Sequence, residues 1–566
     1  MYSLIDEPWI MVVTTEGERK MASLCQLFSG EIRAAYLQGD SAPQNYAVLR
    51  LLLAIFWRAH SPEAKVQAGR TFSYARWFEK TRRTLSEKAC DEIALEYLER
   101  YRDRFDLLDT ETPFMQVADL NTAKGEVKGI ETIVPEIQQD YFTMRAGSTK
   151  GSLSIPEAAR WLVYVQAFDY SGIKSGAVGD RRVKGGKGYP IGVGWSGMTG
   201  GTVVTGENLF ETLIFNTTPM CLGSLDDRPV WERSPDGPGP RETVGEKSEP
   251  QGPADLATWQ SRRVRLVPER DKIVAVVLSN GDKIPEAGAN VFGDPMTPYR
   301  FSSNKSKKNH DVYYPRPYDP LRTMWRSLEA LVVAEGDEGF SAREKAPKRP
   351  ATLTNLAALA DEVDGIPELL NIELVSVEYG SQSSSVANIF SASVGMPVVL
   401  LLQNSRYLRR TVREITGSTS ECAIFLGQYA GQILAAAGGD YAFRPVVTDE
   451  LLAELEEPFL QWLTKLAELP TSECLDQNPK IRNARASWEA TVRSAVEERA
   501  RILLRGAGPK ALSGRMVING EGARPGIVSA GTYYRNLLKK LDKELSMTVK
   551  VNVSRKESGD GKFKTR

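Results

Sequence analysis

Histidine is almost missing from this chain: His60 and His310 are the only two in 566 residues. A histidine-ligated metal centre needs several imidazoles at fixed spacing, and a Ser–His–Asp site needs one beside its nucleophile, so both classes are nearly excluded. Cysteine is scarce as well. Cys25, Cys90, Cys221, Cys422 and Cys474 are widely scattered without a CxxC pair, which argues against a disulfide framework or zinc ribbon and for a reduced, cytoplasmic setting. Net charge is lacking too, because 72 Lys and Arg balance 72 Asp and Glu. Attraction for a polyanion must then come from local clustering. Long hydrophobic runs are absent: the most apolar stretch, Tyr46 to Phe56, is interrupted by Arg50 and predicts a buried helix, so no membrane partner is expected. The N-terminus lacks the basic segment and apolar run of a signal sequence. There is no G-x-x-x-x-G-K-[ST] loop and no G-x-S-x-G elbow, and the carboxylates fall on helix faces. The expectation is a protein that is not an enzyme and carries no metal or cofactor.

What is present is concentrated in Gly172 to Gly201. Glycine recurs every few residues there, and Lys174, Arg181, Arg182, Lys184 and Lys187 outnumber one acid, Asp180. Glycine lets a backbone approach a ligand without an intervening Cβ, and the cations supply charge for a phosphate backbone. A flexible surface loop is the bland alternative. A second basic loop, Phe301 to His310, holds Lys305, Lys307 and Lys308, where a solvated face is the ordinary explanation. After a strand at Glu373 to Tyr379, the run Gly380 to Ser385 has no bulky side chain and predicts an exposed turn.

Around these loops the pattern is mixed. A β-hairpin is predicted near Trp9 to Leu24, a helix from Pro43 to about His60, another N-capped by Ser86, and a proline turn with a buried Phe at Thr112 to Gln116. A helix over 155–169 and a short one over 207–216 follow. Asp226 to Asp255, rich in Pro, Gly and acids, predicts a disordered insertion. Arg263 to Val267 and Lys272 to Leu278 alternate as paired strands, with Asn280-Gly281 a further turn, and Asp319-Pro320 opens a helix through Val333. From Pro397 four long amphipathic segments succeed one another: Pro397 to Ala437 (interrupted near Gly417), Thr448 to Leu469, Arg482 to Arg505 and Pro525 to Leu545. The expected fold is α+β, with a large mixed α/β N-terminal domain over 1–395, a C-terminal four-helix bundle over 396–546 and a basic disordered tail over 547–566.

The succession LIDEPWI near the start, TPFMQ at 112–116, YFTMR at 141–145, GGT at 200–202, TWQSRRVRL at 258–266 and YGSQSSSV at 379–386 resembles the large subunit of type I-E Cascade, the CasA family. The resemblance spans nearly the whole chain and rests on the order and spacing of these motifs. It implies a non-catalytic subunit of an RNA-guided antiviral surveillance complex. Such a subunit reads the protospacer-adjacent motif (PAM) in double-stranded DNA, starts strand separation and helps recruit a helicase-nuclease. Its partners would be other Cascade subunits, CRISPR RNA and target DNA. By the same resemblance Gln382, between Ser381 and Ser383, takes the place of an amide that wedges into the duplex. Gly192 and Gly194 match a glycine loop at the minor groove, and Lys305 matches a lysine that reaches it, with Lys307 and Lys308 as substitutes. Phe142, Thr143, Met144 and Arg145 resemble a loop that touches the guide-RNA handle and neighbouring subunits. The rival reading is a protein-interaction scaffold without direct DNA recognition.

Overall fold

The computed structural model describes residues 1–66, 72–137, 145–224, 226–241, 249–318, 323–341, 344–469, 479–517 and 526–545. Helix and sheet are mixed, and the chain divides into two compact units. The first comprises Met1–Pro320, Phe340–Ile366 and Leu370–Val394; the second comprises Leu321–Gly339, Pro367–Leu369 and Gly395–Arg566.

The first unit is organised around the helix Ala42–Val66. Leu51 to Trp57 are each at most 1% exposed, because the helices Glu92–Arg100, Ile155–Phe168, Pro219–Leu222 and Pro253–Ala257 all pack on it. Arg50, the cation interrupting this apolar run, is not a solvated exception. Its guanidinium lies 2.8 Å from Asp294 with both side chains buried, which makes the burial of either charge tolerable. The N-terminal hairpin forms as expected, Ile10–Thr14 pairing antiparallel with Arg19–Ala22, and Ala34–Leu37 adds on its other side. The strands Arg262–Glu269 and Lys272–Asn280 pair along their length, as their alternation predicts. A further sheet has the order Val386–Pro397, Leu369–Tyr379, Gly201–Thr205. Phe114 is buried and stacks on Phe105 at 5.1 Å, in keeping with the expected proline turn.

Several expectations are corrected. Ser86 lies inside the helix Tyr74–Lys88; the next helix is capped by Asp91, whose carboxylate accepts from Ala94 N–H and from His60. Left-handed Ala89 ends the earlier helix and separates the two. Most of 226–255 is built into the unit, with 242–248 outside the described residues. The Asp227 carboxylate accepts the amides of Ala254 and Asp255, and Arg241 forks onto buried Asp255. Asp227 and Asp255 are anchors rather than solubilising charge. Asn280-Gly281 is no hairpin turn, since Gly281 N–H continues the pairing onto Ser261.

In the second unit the long helices are Arg406–Ala436, Pro445–Thr464, Pro479–Arg505 and Ala530–Glu544, the first packing on each of the others. The expected apolar face of the second is buried through Leu451, Leu452, Leu455, Phe459 and Leu463. The first of these helices runs unbroken through exposed Gly417, whose cost of about 1 kcal/mol against alanine the surrounding packing overrides. The break falls earlier, between Val398–Leu401 and Arg406. The expected helix before Val333 is Thr323–Val332, in this second unit; Asp319 and Pro320 lie outside the described residues. The basic tail 547–566 lies outside them as well.

Candidate nucleic-acid interface

Gly172 to Gly201 folds as a hairpin followed by a loop, not as a loose linker. Lys174–Ser175 pairs with Lys187–Gly188, and Lys184 and Lys187 close a tip through Gly185 and Gly186, at φ 59° and 72°. Two consecutive positive φ values are what a two-residue hairpin turn of type I′ requires, so glycine suits both.

The five cations there separate into two groups. Arg181, Lys184 and Lys187 are exposed. Lys174 is 5% exposed, 2.8 Å from Asp169 and stacked over the Tyr170 ring, and burial lowers its pKa against the opposing pull of Asp169. Arg182 is also committed: it forks onto Asp180 and donates to the carbonyls of Asn280 and Gly281. Lys174 is thus turned inward, and Arg182, with its side chain 34% exposed, is tied to the hairpin's own Asp180. Spacing alone did not separate them, because an inward and an outward lysine look alike in a glycine-rich stretch.

Gly192 has φ 102°, and its carbonyl accepts from the buried Arg262 guanidinium at 2.9 Å. Gly194 has an ordinary φ of -63°. It must be glycine for another reason: a Cβ would collide with the carbonyls of Gln166 and Ala167. The helix Trp195–Thr199 follows directly.

Ser381, Gln382 and Ser383 form the turn between the strands Leu369–Tyr379 and Val386–Pro397. Gln382 is exposed, and both Gln382 and Ser383 have φ 55°. Two non-glycine residues in the left-handed region cost about 1 kcal/mol or more each. The bonds Gly380 N–H to Ser385 O, Ser383 N–H to Gly380 O and Ser384 Oγ to Ser381 O hold the turn in that form. Lys305, Lys307 and Lys308 are all exposed on the turn joining Tyr299–Phe301 to Tyr313–Pro315. Lys307 and His310 bond each other's backbone, with Asn309 at φ 68°.

Glycine loop and Gln382 turn share one footing in the first unit. Tyr379, at the root of the Gln382 turn, donates its hydroxyl to Phe168 O at 2.7 Å and lies against Gly197. The lysine hairpin joins through its own contacts. Tyr299 donates to Val291 O, and Val291 packs on the cluster of Trp195, Leu256, Trp259 and Ile284. In the segment expected to touch guide RNA, Phe142, Thr143 and Met144 lie outside the described residues. Arg145 is 13% exposed and ion-paired with both Glu136 and Glu157, so any phosphate would compete with two carboxylates for it.

Arg262 and Asp169, beneath the glycine loop, escaped notice in the sequence. A signal existed: two adjacent arginines, Arg262 and Arg263, open an otherwise alternating strand, and both prove to be 1% exposed. Among the described residues no group of three or more His, Cys, Asp or Glu is arranged to hold a metal ion, and no helix is long and apolar enough to cross a membrane.

A family model described as CRISPR-associated protein Cse1 matches residues 3–498. A Thermus thermophilus protein named CRISPR-associated protein CasA/Cse1 is 28% identical over 479 residues, 82% of either chain. Thermobifida fusca Cse1 is similar in structure with a TM-score of 0.78 and 35% identity, over 96% of this chain and 98% of that one. A chain of a CRISPR RNA-guided surveillance complex shares the fold at TM-score 0.61 and 19% identity, over 89% of this chain and 99% of that one. The chain belongs to the Cse1 family of CRISPR-associated proteins, the family of the large Cascade subunit.

Proposed function

We propose that this chain is the non-catalytic subunit of an RNA-guided surveillance complex that recognises the PAM in double-stranded DNA and begins strand separation. The observation that carries the reading is the exposed Gln382 amide at the tip of a thin turn held in left-handed conformation. An amide both donates and accepts, so it can enter a groove and bond the edges a parted base pair leaves open. Arg181, Lys184 and Lys187 supply sequence-independent attraction to phosphates. The Gly192 loop and Lys305 test the minor groove, whose degenerate code suits a short, permissive signal. Guide RNA then pairs with the opened strand, within an assembly of other Cascade subunits.

The helices of the second unit, taken as a four-helix bundle, are the proposed docking body for neighbouring subunits and for the helicase-nuclease. Leu434, Tyr441, Phe443 and Val446 are 41%, 52%, 41% and 61% exposed there, an apolar patch that suits protein contact. That patch also favours the second reading, a scaffold without direct DNA recognition. The test is Gln382→Ala in the reconstituted complex with guide RNA and a PAM-bearing duplex. Opening of the target, followed by a fluorescent base analogue beside the PAM, should be nearly abolished while the complex still assembles. Undiminished opening would sink the wedge assignment, and a chain whose duplex affinity ignored salt would favour the scaffold.

A further inference from the structure

The last carbonyls of any α-helix have no partner within the helix and must find donors elsewhere. At the end of Ile155–Phe168 those donors come from three different places. Gln166 O accepts from Ser261 Oγ at 2.7 Å, Phe168 O accepts from Tyr379 Oη at 2.7 Å, and Asp169 O accepts from Gly194 N–H at 3.4 Å. Each donor belongs to a separate element: the start of a sheet strand, the root of the Gln382 turn, and the glycine loop.

The same corner is closed from below by side chains. Gln166 exchanges two hydrogen bonds with the Arg262 backbone, at 2.9 and 3.0 Å. The Arg262 guanidinium ion-pairs with Asp169 and donates to Tyr170 O and Gly192 O, both at 2.9 Å. Lys174 supplies the second cation on Asp169. Arg262, Asp169 and Lys174 are all at most 5% exposed, so this network is fixed by geometry rather than by solvent-facing charge.

We infer that the Gln166–Asp169 corner is a positioning hub that holds the glycine loop and the Gln382 turn in one register, with Tyr379 as the positioning residue for the turn. The inference rests on the proposed PAM-reading function and extends it to residues that touch no DNA. Wedge and groove probe must meet the duplex at a set separation for a groove contact to direct insertion beside it. A shared rigid footing provides that separation. Tyr379 does so through two features: its hydroxyl bonds Phe168 O, and its ring end fills the space that a Cβ on Gly197 would need.

The test uses the full chain in the reconstituted complex, with duplex affinity and strand opening measured separately. Tyr379→Phe keeps the ring and deletes only the hydroxyl. It should leave duplex affinity and the thermal midpoint nearly unchanged while opening slows about fivefold, the worth of one hydrogen bond. Gly197→Ala should slow opening further, because its methyl collides with the Tyr379 hydroxyl. Combining the two removes the colliding oxygen, so the double variant should open faster than Gly197→Ala alone. Equal loss of affinity and opening in Tyr379→Phe, no loss of opening, or strictly additive losses in the double variant would each overturn the hub. Gln382→Ala run in parallel separates the failures. Full opening by that variant defeats the wedge reading itself, whereas its loss beside an unaffected Tyr379→Phe defeats only the hub.

Discussion

Lys174 and Lys187 sit on the two strands of one short ladder, both in a glycine-rich stretch and both cationic, yet they are placed oppositely. Lys187 faces water with Arg181 and Lys184; Lys174 is closed in with Asp169 and Arg262. Charge at the surface attracts a polyanion over a distance and is screened by salt, whereas charge in a closed network fixes a backbone and is scarcely screened at all. The segment therefore builds its own support from the same residue types it exposes to solvent. Sequence composition counts both kinds together.

That division can be broken most forcefully at its inner side. Asp169→Ala leaves Lys174 and Arg262 without their shared carboxylate and should cost about 3–5 kcal/mol of unfolding free energy in urea titration. Next in size is Arg181→Glu, Lys184→Glu and Lys187→Glu together. Duplex affinity should fall about a hundredfold for PAM and non-PAM targets alike, and the slope of log affinity against log salt should flatten by about 3, with the thermal midpoint unchanged. Gly192→Ala meets no atom within 4 Å but must hold φ 102°, so a loss of about 1 kcal/mol in stability is expected.

Lys174→Met sharpens the contrast with the smallest effect. Duplex affinity and its salt slope should stay as they were, because Asp169 keeps Arg262. A pH titration of stability should nevertheless change. Burial holds the Lys174 pKa below its usual 10.5, so just under that pH the unfolded chain binds more protons and stability rises with pH. The methionine variant should lack that rise.

Much of the scaffold was legible in the sequence because local pattern and burial agree there. The Arg262–Glu269 and Lys272–Asn280 strands alternate and pair, and the apolar stripe from Leu451 to Leu463 is the face that packs. The turn around Gln382 was legible too, since a run of small polar residues after a strand leaves few alternatives, whereas the returning strand Val386–Pro397 was not foreseen. What stayed hidden depends on partners distant in sequence. Arg50 finds Asp294, Arg241 finds Asp255, and Arg262 finds Asp169, pairings that no local periodicity encodes. Ser86 was a misleading cap for a related reason: a serine signals a helix start only where the preceding chain is not already helical.

The strand that descends from the Gln382 turn has one further implication. Among the described residues Val386 to Val394 forms the outer border of its sheet; it carries no charged side chain, and Asn388 and Ile389 on it are exposed. Borders of this sort are ordinarily guarded by lysine or proline, because a bare row of amides and carbonyls invites an additional strand. A preparation of the free chain is thus open to sticking to itself along this border. Its solubility with and without the other subunits of the proposed complex becomes a simple gauge of whether they cover it.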